Sequence, residues 1–158
     1  MKPLLIFISA LLLSMPIQAR DSAEGLSGTL IVLNKRGDDA SFIDVASGDL
    51  LATLPTGKGP HELVISDDGL WAVGTDYANG KSLTVFDVQN LKLERTIDLS
   101  AHPRPHGILM LSNNRIVIVT SEANRTVVLV DFVNNRILGA IDTTQGCLLY
   151  TSPSPRDS

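Results

Sequence analysis

The chain has 158 residues, with 13 Lys+Arg against 17 Asp+Glu, a single cysteine and a formal net charge of −4. Residues 20–146 are more acidic still, at 11 Lys+Arg against 16 Asp+Glu, with the charges dispersed along the segment. That balance excludes the basic face a nucleic-acid partner requires. One cysteine excludes a disulfide framework and a multi-thiolate metal site.

Residues 1–19 read as a secretory signal peptide. Lys2 supplies the positive start, Leu4–Leu13 is apolar apart from one serine, and Ala19 is a small residue at a cleavage point. The apolar run is shorter than the ~20 residues that span a bilayer. The expectation is therefore a periplasmic or secreted protein with no membrane span once the signal is cleaved. Residues 20–27 read as a linker.

Eleven short strands are predicted next, each bounded by turn residues. They are Thr29–Asn34, Ala40–Val45, Asp49–Leu54, Glu62–Ser66, Leu70–Thr75 and Ser82–Val88. Leu93–Leu99, Gly107–Leu111, Arg115–Ser121, Thr126–Phe132 and Arg136–Ile141 complete the set. Ser47-Gly48, Asp68-Gly69, Asn79-Gly80, Asn113-Asn114 and Asn134-Asn135 supply the residues tolerant of positive φ that hairpins need. No stretch of helical period is longer than one strand.

Residues 147–158 break the pattern. Codons for Cys147 to Asp157 can be written as a transposon-type sequencing-library adapter, so this segment reads as an adapter-derived tail. The natural chain is then expected to continue past Gly146, and Cys147 is not native.

The strands repeat in register. Phe42-Ile43-Asp44-Val45 recurs as Val85-Phe86-Asp87-Val88 and as Leu129-Val130-Asp131-Phe132. Gly59-Pro60-His61 recurs 45 residues later as Arg104-Pro105-His106. A period in the low forties made of short alternating strands is that of a β-propeller blade, a four-stranded antiparallel sheet. The fold expected is all-β: an incomplete blade over 28–54 and full blades over 55–99 and 100–146, about two and three-quarter blades. Residues 20–146 alone are expected to aggregate or unfold partly, since open edges invite pairing with other chains.

The second-strand runs Ile31-Val32-Leu33-Asn34, Ala72-Val73-Gly74-Thr75 and Ile118-Val119-Thr120-Ser121 carry a resemblance. So do the apolar runs ending in Asp44, Asp87 and Asp131, and the Gly57–Gly69 segment with its Asp-Gly turn. With these motifs the chain resembles the YVTN-type β-propeller repeat family of exported proteins. The resemblance implies a seven-bladed ring. Related propellers include lactonase-like enzymes and domains of nitrous oxide reductase and cytochrome cd1. This chain shows no haem-attachment cysteines and no dense histidine cluster.

His61 and His106 are the leading candidates for chemistry, as equivalent residues on adjacent blades near the central channel. They could hold a divalent metal or an anion. Packed sheets lie about 10 Å apart, which weighs against a shared metal and favours histidines bonded to loop carbonyls. His102 reads as an exposed-loop residue, because Pro103 and Pro105 prevent a helix that would pair it with His106. Arg36, Asp76, Tyr77, Lys81 and Arg125 are further ligand-binding candidates, set among Lys35, Asp38, Asn79, Glu122 and Asn124 on the loops between second and third strands. Asp44, Asp87 and Asp131 are expected to bond turn amides, and Trp71 to pack between blades.

No catalytic constellation and no cofactor motif is evident. The favoured reading is a binding or interaction scaffold for a small molecule or a protein. The alternative is a propeller enzyme, lactonase-like or metal-dependent, whose site other blades complete.

Overall fold

The structure is a computed structural model that describes residues 25–144. The signal peptide, most of the linker and the tail lie outside the described residues.

All eleven predicted strands form. The first sheet is β1 (Thr29–Asn34), β2 (Asp39–Asp44) and β3 (Leu50–Pro55). The second is β4 (Pro60–Ile65), β5 (Trp71–Asp76), β6 (Ser82–Asp87) and β7 (Lys92–Asp98). The third is β8 (Pro105–Met110), β9 (Ile116–Ser121), β10 (Thr126–Asp131) and β11 (Arg136–Asp142). Each sheet is antiparallel with its strands in sequence order, as blades of a β-propeller are. Among the described residues there is no helix, so none that could cross a membrane.

The aspartates at the ends of β2, β6 and β10 close the hairpins. Asp44 accepts the Ser47 amide at 2.7 Å, Asp87 the Asn90 amide at 2.9 Å and Asp131 the Asn134 amide at 3.0 Å. Each bond caps the same three-residue turn, as the sequence pattern implied. At Asp131 the Arg115 guanidinium adds a contact at 2.7 Å and holds the carboxyl well below the usual carboxylate range.

The core lies between the sheets. Period-two alternation sends Val73, Leu83 and Val85 of the second sheet towards Val117, Val119, Val128 and Val130 of the third. Ala72 and Phe86 point the other way, onto Ala40 and Phe42 of the first. β5 and β6 are therefore buried on both faces, which is why they read as nearly continuous apolar runs. The Phe42 and Phe86 rings meet edge to face at 5.3 Å, worth about 0.5–1.5 kcal/mol beyond area burial. Trp71 packs against the cluster shared by the second and third sheets.

Two registers differ from expectation. β4 and β8 start at Pro60 and Pro105 rather than at Glu62 and Gly107, so the histidines lie inside the inner strands. The blades also align one residue further along in the second sheet. Asn34, Asp76 and Ser121 each end a second strand, facing Asp39, Ser82 and Thr126 respectively. The five-residue turn after β5, against four after β1 and β9, conceals this equivalence in the sequence.

Candidate functional site

Each inner strand opens with a left-handed residue followed by proline. Gly59 has φ +58° and Arg104 has φ +57°. The strands then bulge. Pro60 faces Asp76 and Leu63 faces Gly74, so His61 and Glu62 share the space opposite Thr75. Pro105 faces Ser121 and Ile108 faces Val119, so His106 and Gly107 share the space opposite Thr120. A bulge re-aims a side chain off the regular pleat.

Two threonine hydroxyls hold the bulges open. Thr75 Oγ1 accepts the Glu62 amide at 3.1 Å, and Thr120 Oγ1 accepts the Gly107 amide at 2.9 Å. Thr75 Oγ1 also donates to the His106 carbonyl at 2.9 Å and so ties the two blades together.

The result is a meeting of imidazoles. The His61 and His106 ring centroids are 4.2 Å apart, and Tyr77 presses against both at 5.2 and 4.7 Å. The sheet-to-sheet distance expected between blades does not apply here, because inner strands are where neighbouring blades come closest. Glu62 reaches across the blade boundary. Its Oε1 lies 3.3 Å from His106 Nδ1 and 3.9 Å from His61 Nδ1. Its Oε2 is 3.4 Å from the Ile108 amide, which donates to it. Both Nδ1 atoms are buried and make no hydrogen bond. The expected bonds to loop carbonyls are not made at these atoms. Burial, then the neighbouring His106 and Lys35, lower the pKa of His61, with Glu62 opposing them.

Around this pair stands a second series. Lys35, Tyr77 and Glu122 each follow the second strand of their blade. The Lys35 ammonium lies 5.2 Å from the Tyr77 ring centroid, and the Tyr77 hydroxyl donates to Glu122. Arg104 completes the group, with Nη2 2.6 Å from the Tyr77 hydroxyl and 3.2 Å from Glu122. Its guanidinium also lies 5.0 Å from the ring centroid. Left-handed backbone at a residue other than glycine costs about 1–2 kcal/mol. Strain of this kind collects at functional sites.

Asp76 does not belong to the surface set proposed from sequence. It is fully buried, accepting from Ser82 Oγ at 2.6 Å and from Thr84 Oγ1 at 3.0 Å. Burial pushes its carboxyl up to about 6 against those hydrogen bonds. Gly57 makes room for it, since a Cβ there would stand 2.3 Å from Asp76 Oδ2. Arg36, Lys81 and Arg125 are exposed, and their side chains make no hydrogen bond or ion pair with the histidine group. Asp38 instead anchors the next blade, accepting from Gly59 N at 2.8 Å and Lys58 Nζ at 2.5 Å. His102 is partly buried, with Nδ1 3.4 Å from Thr126 Oγ1.

Glu62 and Arg104 escaped the sequence reading. A signal for them existed in the 45-residue offset. Gly59-Pro60-His61-Glu62 and Arg104-Pro105-His106-Gly107 keep the Pro-His pair and exchange the chemistry on either side of it.

Among solved structures, the chain is similar to hydrazine synthase from Kuenenia stuttgartiensis, with a TM-score of 0.67 and 18% identity over 74% of this chain and 33% of that one. It is also similar to the dihydro-heme d1 dehydrogenase NirN in complex with DHE, with a TM-score of 0.64 and 19% identity over 82% of this chain and 27% of that one. The chain thus spans about a third or less of each neighbour's length. At this identity the likeness shows the propeller fold alone. No protein-family model matches the chain, and no curated protein does.

Proposed function

We propose that this is an exported propeller protein of the YVTN type that binds a small polar molecule where the inner strands of adjacent blades meet. The observation that carries the reading is the convergence of His61, His106, Tyr77, Glu62 and Arg104 from two blades on one spot, with two imidazole nitrogens left unpartnered. A purely structural packing would satisfy those atoms, because a buried polar group without a partner costs about 1–3 kcal/mol. Tyr77 and Arg104 offer an apolar ring and a fixed cation beside them, the mixture that small-molecule sites use.

The second reading is an enzyme whose site other blades complete. Its support is the donor set, since two histidines and one carboxylate also occur at open catalytic metal centres. Both structural neighbours carry enzyme names, which bears on fold more than on chemistry at 18–19% identity.

The test is a thermal-shift screen of metabolite-sized compounds against the intact protein and a Tyr77→Ala/Arg104→Ala variant run side by side. A ligand at 100 times its dissociation constant adds about 2.7 kcal/mol. Binding at this site predicts compounds that raise the melting temperature of the wild type by several degrees and leave the variant unmoved. A broad screen whose hits shift both proteins equally refutes the reading. Cell fractionation checks export separately, with a processed form outside the inner membrane expected.

A further inference from the structure

The His61–His106 pair has a third partner that the repeat does not share. Glu62 occupies a position where the next blade has Gly107, and one oxygen of its partly exposed carboxylate lies within 3.9 Å of both imidazole Nδ1 atoms. One donor atom from each of the three residues can be chosen so that all lie within 4.8 Å of one another. Among the described residues this is the one group of three or more His, Cys, Asp or Glu side chains so arranged.

We infer that His61, His106 and Glu62 form a site for a single divalent transition-metal ion of the zinc class, held through two imidazole Nδ1 atoms and one carboxylate oxygen. The inference rests on the small-molecule reading above and deepens it, because three protein ligands leave a coordination position for an incoming molecule.

Three physical points carry it. First, the distances suit one ion. Zinc bonds imidazole nitrogen and carboxylate oxygen at about 2.0–2.2 Å, which sets tetrahedral ligands roughly 3.4 Å apart. The His106 Nδ1 to Glu62 Oε1 distance is 3.3 Å and the His61 Nδ1 to Glu62 Oε1 distance is 3.9 Å.

Second, one ion satisfies both orphan nitrogens together. A charged His–Glu pair is the competing explanation. It would place an N–H in line with the carboxylate, yet neither Nδ1 makes an aligned hydrogen bond, and both approach the same oxygen.

Third, the ligands are held from behind. The Ile108 amide donates to the other oxygen of Glu62, and the Thr75 hydroxyl joins the Glu62 amide to the His106 carbonyl. Such supports fix ligand orientation at metal centres. Imidazole with carboxylate selects zinc and its transition-metal neighbours over calcium or magnesium, which prefer all-oxygen shells.

The experiment is calorimetric titration of the intact, chelator-stripped protein with Zn²⁺ alone, with bound metal counted by elemental analysis. One ion per chain at micromolar affinity or tighter is expected. Glu62→Gln keeps the shape of the side chain and should weaken binding by at least about tenfold. His61→Ala and His106→Ala should weaken it by about a hundredfold or more. Lys92→Ala, on the outermost strand of the second blade and paired only with Asp87 and Glu94, should leave zinc affinity within about threefold. Absence of saturable uptake, or uptake indifferent to both histidine substitutions in variants that keep the wild-type circular dichroism, overturns the site. Zinc uptake that depends on the histidines, with no differential hit in the compound screen, would uphold the metal site and refute the small-molecule reading. Differential hits with no zinc uptake would do the reverse.

Discussion

The second and third blades begin with the same backbone and different chemistry. Gly59-Pro60-His61-Glu62 and Arg104-Pro105-His106-Gly107 share a left-handed first residue, a proline, a histidine and a bulge opposite a buried threonine. Where the second blade puts a flexible glycine and a reaching carboxylate, the third puts a strained arginine and a glycine. Tyr77 and Glu122 differ in the same way at matching turn positions, yet their amides bond Gly59 O and Arg104 O at the same distance, 3.1 Å. The repeat preserves the bonds that shape the backbone, while side chains facing the neighbouring blade vary. A site assembled from such positions belongs to the interface between blades.

The strongest way to break this equivalence is at its first residue. Gly59→Ala puts a Cβ 2.4 Å from that of Ala78 at a backbone φ of +58°. A left-handed penalty and overpacking together predict a loss of roughly 2–5 kcal/mol, read from the urea midpoint of the intact protein. Arg104 carries a side chain at the same φ, so an unchanged Gly59→Ala midpoint would show that the second blade has room the structure denies it.

Asp76 sharpens the comparison at the end of the second strand, where the third blade has Ser121. The folded-state carboxyl is raised from 3.8 to about 6, so the folded chain holds this proton more tightly than the unfolded chain does. The contribution of Asp76 to stability is therefore full below pH about 4 and is lost as pH rises through about 6, a change of about 3 kcal/mol. Asp76→Asn removes that dependence. The stability of the wild type relative to this variant should fall by that amount between about pH 3 and about pH 8 in paired denaturant melts. A difference independent of pH would place the titration of Asp76 outside this window.

Smaller effects separate the two threonines. Thr75→Val removes both the support of the Glu62 amide and the bond to His106 O, and should cost about 2 kcal/mol. Thr120→Val removes the support of the Gly107 amide and should cost about half as much. Equal losses would argue that the inter-blade bond contributes nothing. The least effect on stability is expected of Arg104→Gly. Relief of backbone strain and loss of an exposed ion pair leave a net change of about 1 kcal/mol or less, while the contacts to Tyr77 and Glu122 are lost. A midpoint near wild type with weakened ligand binding would mark Arg104 as a binding residue.

The number of strands, the hairpin turns, the blade period and the matching of His61 with His106 were legible in the sequence, because each rests on local patterning. Period-two alternation marks a strand, Asn and Gly mark a turn, and an aspartate three residues before a free amide caps it, as at Asp44, Asp87 and Asp131. The inward turn of the histidines was not legible. It depends on bulges whose extra residue looks like ordinary strand, and on inner strands approaching more closely than sheets do on average. Asp76 misled for a related reason: an aspartate beside a turn reads as surface, and only the packing of Gly57, Ser82 and Thr84 around it shows that it is enclosed.

The sequence by itself determined a repeated antiparallel sheet and placed one histidine at the start of each complete blade, since local hydrophobic and turn patterns recur every 43–45 residues. Tertiary structure decided which side chains of different blades meet: Glu62 with His106, Tyr77 with Glu122, Thr75 with the His106 carbonyl. The physical reason is that these partners are 31 to 45 residues apart along the chain. Their contact is set by how twisted sheets stack, a property of the assembled fold that no local window of residues carries.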